Sequence, residues 1–410
     1  MRVLFLSVSD ELGGSEMALL DMIAGLKRVR PSWTIGAVLP GRGPLLARAE
    51  AAGADCTVVT LPAPLARVGE FASFAAGSSG APGGRSRAAG RAMLAGRLLA
   101  AATVVPSYLS RLRKVVGAFR PSIVHTNGFK AHVLGARACG GARLVWHMHE
   151  YISDRKVSRR LLAAHAGRAS AILANSASVA TDVRQALPGA AAPQVVYNAV
   201  DLTSFDPGGP AEDLDSRAGW SPANGPVVRI GLVATFARWK GHEVFLRAIA
   251  SLPASLPVRA YIIGGPLYAT AGSQYGLDEL TRVAAALGVS DRVGFTGYLP
   301  AASAMRALDV VVHASTRPEP FGLVIAEAMA CGRALVTSAT GGAGELIEAG
   351  VDALTHTPGD SSDLARQLAR LAGDAALRGS LGAHARASAE RRFDSTRLAH
   401  EIAQVYERIA

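Results

Sequence analysis

No acidic residue falls between Glu70 and Glu150, although eleven Lys and Arg residues lie from Arg85 to Arg143. Residues 1–200 hold 24 Lys and Arg against 10 Asp and Glu, a net +14, while residues 201–410 hold 19 against 22, a net −3. Such a field attracts anionic partners, and membrane surface, a phosphorylated acceptor and nucleic acid all remain open. A plain solvated surface in an arginine-rich chain is an equal alternative. Cysteine is scarce: Cys56, Cys139 and Cys331 are far apart and odd in number. That excludes a disulfide framework and a cysteine-based metal site, and it predicts a reduced, cytoplasmic protein. No run of about 18 uncharged apolar residues occurs, so no transmembrane helix is expected. The apolar start, Val3–Leu6, is too short for a signal-peptide core and reads as a first buried strand. Aromatic residues make up only 6% of the chain and show no stacking pattern, which argues against nucleic acid.

What is present is apolar: half of the 410 residues are hydrophobic and 18% are charged, enough for two or three domains with sizeable cores. Continuous Val/Ile/Leu runs alternate with Ala/Leu-rich helical stretches. The spacing predicts strands at Val3–Ser7, Thr34–Leu39, Cys56–Thr60, Ile123–Thr126, Leu144–His147, Ala171–Ala174 and Gln194–Tyr197. The rhythm restarts at Val227–Val233, Val258–Ile263, Arg292–Thr296, Val310–Ala314 and Ala334–Ser338. This is the pattern of two doubly wound α/β units, each a parallel sheet covered on both faces. The expected domains are residues 1–200 and 226–389, joined by a linker at 201–225 rich in Asp, Pro, Gly and Ser. The low-complexity stretch 77–90 predicts a mobile loop. Two amphipathic helices are expected after it, Arg91–Ala102 and Pro106–Phe119, with Arg91, Arg97, Arg111, Arg113 and Lys114 on their polar sides. They read either as an interfacial pair or as helices covering the sheet.

The segment Glu319-Pro-Phe-Gly-Leu-Val-Ile-Ala-Glu327 carries the most information. Two glutamates bracket a stretch with no other charge. Pro318 and Pro320 keep its start out of the helical region, and a buried helix begins near Leu323. The segment therefore offers two carboxylates for hydroxyl groups, and the free N–H groups of a helix start for an anion. A sugar joined to a diphosphate has both. Other loops at strand ends have related chemistry. Gly13-Gly14-Ser15-Glu16 opens a helix after the first strand. Arg238-Trp239-Lys240-Gly241 places one guanidinium and one ammonium in a loop suited to a diphosphate. Gly264-Gly265 and Gly341-Gly342-Ala343-Gly344-Glu345 follow two later strands. Each loop alone also reads as an ordinary tight turn or exposed basic loop, but several along one half point to a nucleotide crevice. The three-glycine dinucleotide pattern is missing, which weighs against an oxidoreductase. His147-Met148-His149-Glu150 follows another strand, with His125 ending an earlier one, and marks an active-site edge. A metal site there lacks a third ligand at a convincing spacing. Asp213-Leu214-Asp215 has the spacing of a metal-binding carboxylate pair, but it is expected to be solvated because it lies in the linker.

These residues resemble glycosyltransferase family 4, a retaining, nucleotide-sugar-dependent group with the GT-B fold. The resemblance rests on Trp239-Lys240-Gly241-His242, Gly264-Gly265, the Glu319/Glu327 pair with Phe-Gly-Leu inside it, and Gly341-Gly342…Glu345, over roughly residues 225–385. The first half is similar only in the order of its pieces: Gly13-Gly14, His149-Glu150 and Tyr197-Asn198-Ala199-Val200-Asp201. The resemblance implies two Rossmann-like domains, with a last helix (390–410) returning to the first. It implies that Glu319 holds sugar hydroxyls, that the backbones of Phe321, Gly322 and Leu323 line sugar and phosphate, and that Glu327 binds the ribose. Lys240 pairs with the diphosphate, and Gly264 belongs to the same site. Gly14 lies near donor phosphates or acceptor, and His149 against the transferred sugar. The chain departs from relatives at Thr235, where many have arginine, and Arg238 is the candidate to replace that charge. It departs again at Glu150, where aspartate is usual. The expected partners are a UDP- or GDP-type nucleotide sugar and a hydroxyl acceptor, with no metal or other cofactor, no nucleic acid, and peripheral contact with an anionic membrane as an option. The alternative is a basic anion-, membrane- or nucleic-acid-binding protein on an inactive GT-B scaffold.

Overall fold

The computed structural model describes residues 1–66, 87–153, 155–267 and 272–410. Most of the low-complexity stretch at 77–90 lies outside them. The apolar runs of the first half form seven parallel strands: β1 (Arg2–Leu6), β2 (Thr34–Leu39), β3 (Asp55–Val58), β4 (Ile123–Asn127), β5 (Arg143–Met148), β6 (Ala169–Ala174) and β7 (Gln194–Val195). Their order is β3-β2-β1-β4-β5-β6-β7, so the winding reverses between β1 and β4. The second half gives β8 (Val228–Val233), β9 (Val258–Ile263), β10 (Val293–Gly297), β11 (Val310–His313), β12 (Ala334–Thr337) and β13 (Leu354–Thr355). The order is β10-β9-β8-β11-β12-β13, reversing between β8 and β11. In open parallel sheets, ligands sit beyond the carboxyl ends of strands at such a reversal. The short β13 had no counterpart in the sequence pattern, because two paired residues carry no periodicity.

The chain divides into two compact units, Met1–Asn198 with Ser395–Ala410, and Ala199–Asp394. In the first, the last helix Ser395–Ile409 packs on helix Gly14–Val29. Gly25 permits the close approach, since a Cβ there would lie 2.9 Å from that of Ala399. The buried Tyr406 hydroxyl reaches His125 Nδ1 on β4 at 2.6 Å. A single helix, Arg87–Phe119, replaces the two expected on either side of Pro106. Proline removes one N–H from a helix, and here the helix runs through it. Tyr108, Leu109, Leu112 and Val116 are buried in the unit's core while Arg111, Arg113 and Lys114 are exposed. That arrangement is a helix covering a sheet. Among the described residues, no helix is long and apolar enough to cross a membrane.

Asp215 is not solvated, contrary to the expectation for the linker. Asp213 caps helix Leu214–Arg217 by accepting the Ser216 N–H at 3.1 Å. The turn carries Asp215 inward, where Arg229 (2.8 Å), Arg259 (2.7 Å) and the Tyr261 hydroxyl (2.5 Å) meet its carboxylate. Burial alone would raise this carboxyl, but Tyr261 and the two guanidiniums outweigh it and bring it to about 2. The segment after Ala199 is therefore pinned to the starts of β8 and β9. Removing one member of a buried charge cluster leaves the others uncompensated. Asp215→Ala is expected to lower stability by about 3 kcal/mol in urea unfolding. A loss under about 1 kcal/mol, as for an exposed pair, would contradict this role.

Candidate active site

Glu319 lies at the reversal of the second sheet and is 5% exposed. The strand ends on either side aim an ammonium, an imidazole and a hydroxyl at it. Lys240, in the loop after β8, places Nζ 2.7 Å from Glu319 Oε1. His313, the last residue of β11, places Nε2 2.8 Å from the same oxygen. Ser315, two residues on, donates its hydroxyl to that oxygen too. The main chain is fixed as well: Glu319 N–H donates to Thr340 O at 3.2 Å, and Glu319 O accepts from Gly342 N–H at 2.7 Å. Burial would raise the Glu319 carboxyl, but the Lys240 charge and the His313 contact outweigh it and hold it well below the usual carboxylate range. It stays ionised at any physiological pH and cannot serve as a general acid.

Glycine packing determines where Lys240 sits. Gly241 has φ +80°, and a Cβ there would lie 1.9 Å from Ala314 O. Only glycine lets the loop after β8 press on the segment after β11. Thr316 N–H donating to Trp239 O at 2.8 Å closes the same contact, and Lys240 Nζ sits 4.3 Å from the Trp239 ring centroid. Beyond Glu319, Phe321 packs edge-on against Phe393, with centroids 6.0 Å apart. Gly322 takes φ +91° as the cap of helix Leu323–Ala330. Leu323 and Glu327 on that helix are half-buried. His313 and Ser315 were not singled out in the sequence. Their signal was faint: two polar residues in an otherwise apolar strand end, four and six positions before Glu319.

Two further candidate residues have partners within the second unit. Arg238 turns away from Glu319: its Nη2 donates to both Glu279 oxygens at 2.8 and 2.9 Å, and its guanidinium lies over the Tyr275 ring. Its charge is matched there by the Glu279 carboxylate, in a half-exposed ion pair. Gly264 is required by packing. Its φ is +136°, a Cβ would lie 2.1 Å from Ala234 O, and its N–H is used by Gly297 O at 2.9 Å. That N–H is not available to a phosphate.

The first unit has its own polar cluster at its sheet reversal. Asn127, at the end of β4, donates its amide to Ser15 O at 3.0 Å and meets His149 Nε2 through Oδ1 at 3.3 Å. This joins the glycine turn to the residue after β5. A Cβ on Gly14 would meet nothing within 4 Å, so packing does not demand glycine there. Glu150 is exposed and pairs with Arg155 at 2.8 Å. His125, His132, His147 and His149 are all buried, and the His147 and His149 rings are 4.1 Å apart. His147 is held by ring packing, since neither nitrogen has a hydrogen-bond partner among the described residues. Burial keeps these rings neutral, lowering His125 to about 3 and His149 to about 4.

Acid sensitivity follows from the histidines. The unfolded chain takes up protons below about pH 6.5 while the folded rings refuse them. Their stabilising contribution is full above pH 6.5 and is lost as pH falls toward 4. The expected loss is about 1.4 kcal/mol per pH unit for each such ring, before any relaxation of the fold. Urea midpoints measured at pH 7.5 and 5 should show a clear drop. Equal midpoints would show that the rings are solvated.

Residues 227–374 match the family described as Glycosyl transferases group 1, and residues 45–204 match Glycosyltransferase Family 4. A D-inositol 3-phosphate glycosyltransferase of Mycolicibacterium vanbaalenii is 38% identical over 182 residues, 40% of this chain and 38% of that protein. Its namesake from Corynebacterium jeikeium is 33% identical, over 53% of this chain and 52% of its own length. The chain thus spans about half or less of the length of these curated relatives. The structure of HepE from Anabaena in complex with UDP and glucose superposes over all of both chains, with a TM-score of 0.77 at 26% identity. Sucrose-phosphate synthase from Thermosynechococcus elongatus shares the fold, with a TM-score of 0.74 at 19% identity over 100% of this chain and 98% of that one. One family match on each unit, with full-length similarity to these structures, supports a family 4-type glycosyltransferase of the GT-B fold.

Proposed function

We propose that the protein transfers a sugar from a nucleoside diphosphate sugar to a hydroxyl acceptor, with retention of anomeric configuration and without a metal ion. The observation that carries this reading is the buried Glu319 carboxylate held 2.7 Å from the Lys240 ammonium at the reversal of the second sheet. Breaking the bond from the anomeric carbon to the diphosphate develops negative charge on the leaving oxygen. An ammonium and a helix start that meet that charge speed the step. Lys240 and the N–H groups at Leu323 supply them. Glu319 then holds sugar hydroxyls and Glu327 the ribose. With three hydrogen-bond donors on one oxygen, Glu319 is a poor nucleophile, so a covalent glycosyl intermediate on it is not part of the reading. The acceptor hydroxyl attacks from the face the diphosphate leaves, and its proton departs with the diphosphate.

The polar cluster of Gly14, Asn127 and His149 is assigned to the acceptor. Neutral His149 offers a hydrogen bond and no charge. The +14 balance of residues 1–200 favours an acceptor bearing phosphate or carboxylate. HepE holds UDP and glucose, which makes UDP-glucose the first donor to try.

Glu319→Ala is expected to cut transfer from the active nucleotide sugar by at least about 100-fold, with Glu319→Gln as the isosteric control. Wild-type turnover in both variants would remove the core of this reading. Lys240→Ala should weaken UDP binding about tenfold or more by calorimetry, the worth of one charge-assisted hydrogen bond. Unchanged affinity would take the diphosphate away from Lys240. Stabilisation of the wild type by NAD in a thermal-shift screen, and not by UDP- or GDP-sugars, would favour an oxidoreductase instead.

A further inference from the structure

His313 and Thr337 are register partners, the last residues of the adjacent strands β11 and β12. Their side chains touch, with His313 Nδ1 3.0 Å from Thr337 Oγ1. The other ring nitrogen faces Glu319 Oε1 at 2.8 Å. Beyond Thr337, the Ala339 N–H donates to Thr337 Oγ1 at 3.1 Å. These contacts form one line from a backbone amide through a hydroxyl and an imidazole to the carboxylate. His313, Thr337 and Glu319 are each at most 5% exposed, so water does not interrupt it.

We infer that Thr337 and His313 are positioning residues for Glu319, with Thr337 fixing His313 in the tautomer that carries its proton on Nε2. The inference rests on the reading of Glu319 as the sugar-holding group. A hydroxyl has one hydrogen to give and two lone pairs to accept with. The Ala339 amide occupies one lone pair of Thr337, and the Glu319 carboxylate facing Nε2 calls for the Nε2–H form, which leaves Nδ1 to accept the Thr337 hydrogen. Nδ1 then bears the lone pair, and Nε2–H donates to the carboxylate. The tautomer of a histidine is set by the partner on its far side. A ring with its proton on Nδ1 would point a lone pair at an anion, so the direction of the line decides whether His313 holds Glu319 or repels it.

The backbone supports the same assignment. Ala339 has φ +50°, one of two non-glycine residues with positive φ among those described. That conformation is unfavourable for a residue with a Cβ and persists where the surroundings over-determine it. The turn it makes does two things. It directs the Ala339 amide at Thr337, and it brings Thr340 O and Gly342 N–H onto the main chain of Glu319. One strained turn thus fixes the glutamate's backbone and starts the line that orients its side chain. Lys240 and Ser315 hold the same oxygen from other sides, so losing the relay should mis-aim the carboxylate without removing it.

Nitrogen-15 NMR of the histidine rings tests the tautomer, with the His313 resonances assigned by their loss in His313→Gln. The wild type should show a neutral His313 protonated on Nε2, and Thr337→Val should lose that single state. A proton on Nδ1, or an imidazolium at pH 7.5, would overturn the inference. Kinetics with UDP-glucose test the consequence. Thr337→Val should lower kcat about tenfold, the worth of one hydrogen bond, while UDP affinity by calorimetry stays within about twofold. Thr337→Ser should restore kcat, and His313→Gln, which keeps an N–H for Glu319, should outperform His313→Ala. A residue that serves only the fold would lower the melting temperature and leave kcat of the folded enzyme intact, and that result would also overturn the inference. If Glu319→Ala keeps wild-type turnover, the site reading fails, whereas inactive Glu319→Ala beside fully active Thr337→Val and His313→Ala removes only the relay. Should UDP-glucose not be turned over, the NMR result alone decides the tautomer.

Discussion

A buried carboxylate must be compensated, and the second unit is organised around compensating Glu319. Left alone in a low-dielectric interior, an ionised side chain carries a penalty of several kcal/mol. Three side chains remove it: Lys240 from beyond β8, and His313 and Ser315 from the end of β11. For these to converge, two loops must touch more closely than side chains normally allow. Gly241 against Ala314 makes that contact, and the Thr316–Trp239 hydrogen bond closes it. The strained turn at Ala339 adds the third strand end, β12, through Thr337 and the Gly342 amide. The sheet reversal is thus where three strand ends are tied together by one charge.

Ionisation of Glu319 decides what the site can do. A carboxyl held below its usual range offers acceptors only, and those suit hydroxyl groups. Glycosidases instead set one acid against one base or nucleophile, with two carboxyls at different protonation states. Nothing about Glu319 fits the acid of such a pair. The first unit has a complementary character: four buried histidines kept neutral by desolvation, one of them linked through Asn127 to the glycine turn at Ser15. Neutral rings hydrogen-bond without adding charge to a half-chain that is already strongly basic.

The sheets were legible in the sequence because buried parallel strands leave Val/Ile/Leu-rich runs, unbroken at Val310–Val312 and interrupted only briefly in Val258–Ile263. Polar residues that face inward were not. Asp215 looked solvated because its partners, Arg229, Arg259 and Tyr261, are distant in sequence and meet it only in the fold. The Arg238–Glu279 pair was invisible because nothing local reveals Glu279, 41 positions on. His313 went unremarked for the opposite reason: it lies in a strand that reads as plain core. Composition and spacing show which residues are buried, whereas the partner of a buried charge is a tertiary fact. Pro106 misled for a local reason, since the rule that proline ends helices has exceptions where the neighbouring turns are held by packing, as at Tyr108 and Leu112.

The most direct test of the account is a crystal structure of the protein with an unhydrolysed nucleoside diphosphate sugar bound. The account places sugar hydroxyl oxygens within about 3 Å of the Glu319 carboxylate, hydrogen-bonded to it, and the diphosphate within reach of Lys240. A sugar bound elsewhere, with Glu319 contacting only Lys240, His313 and Ser315, would contradict it.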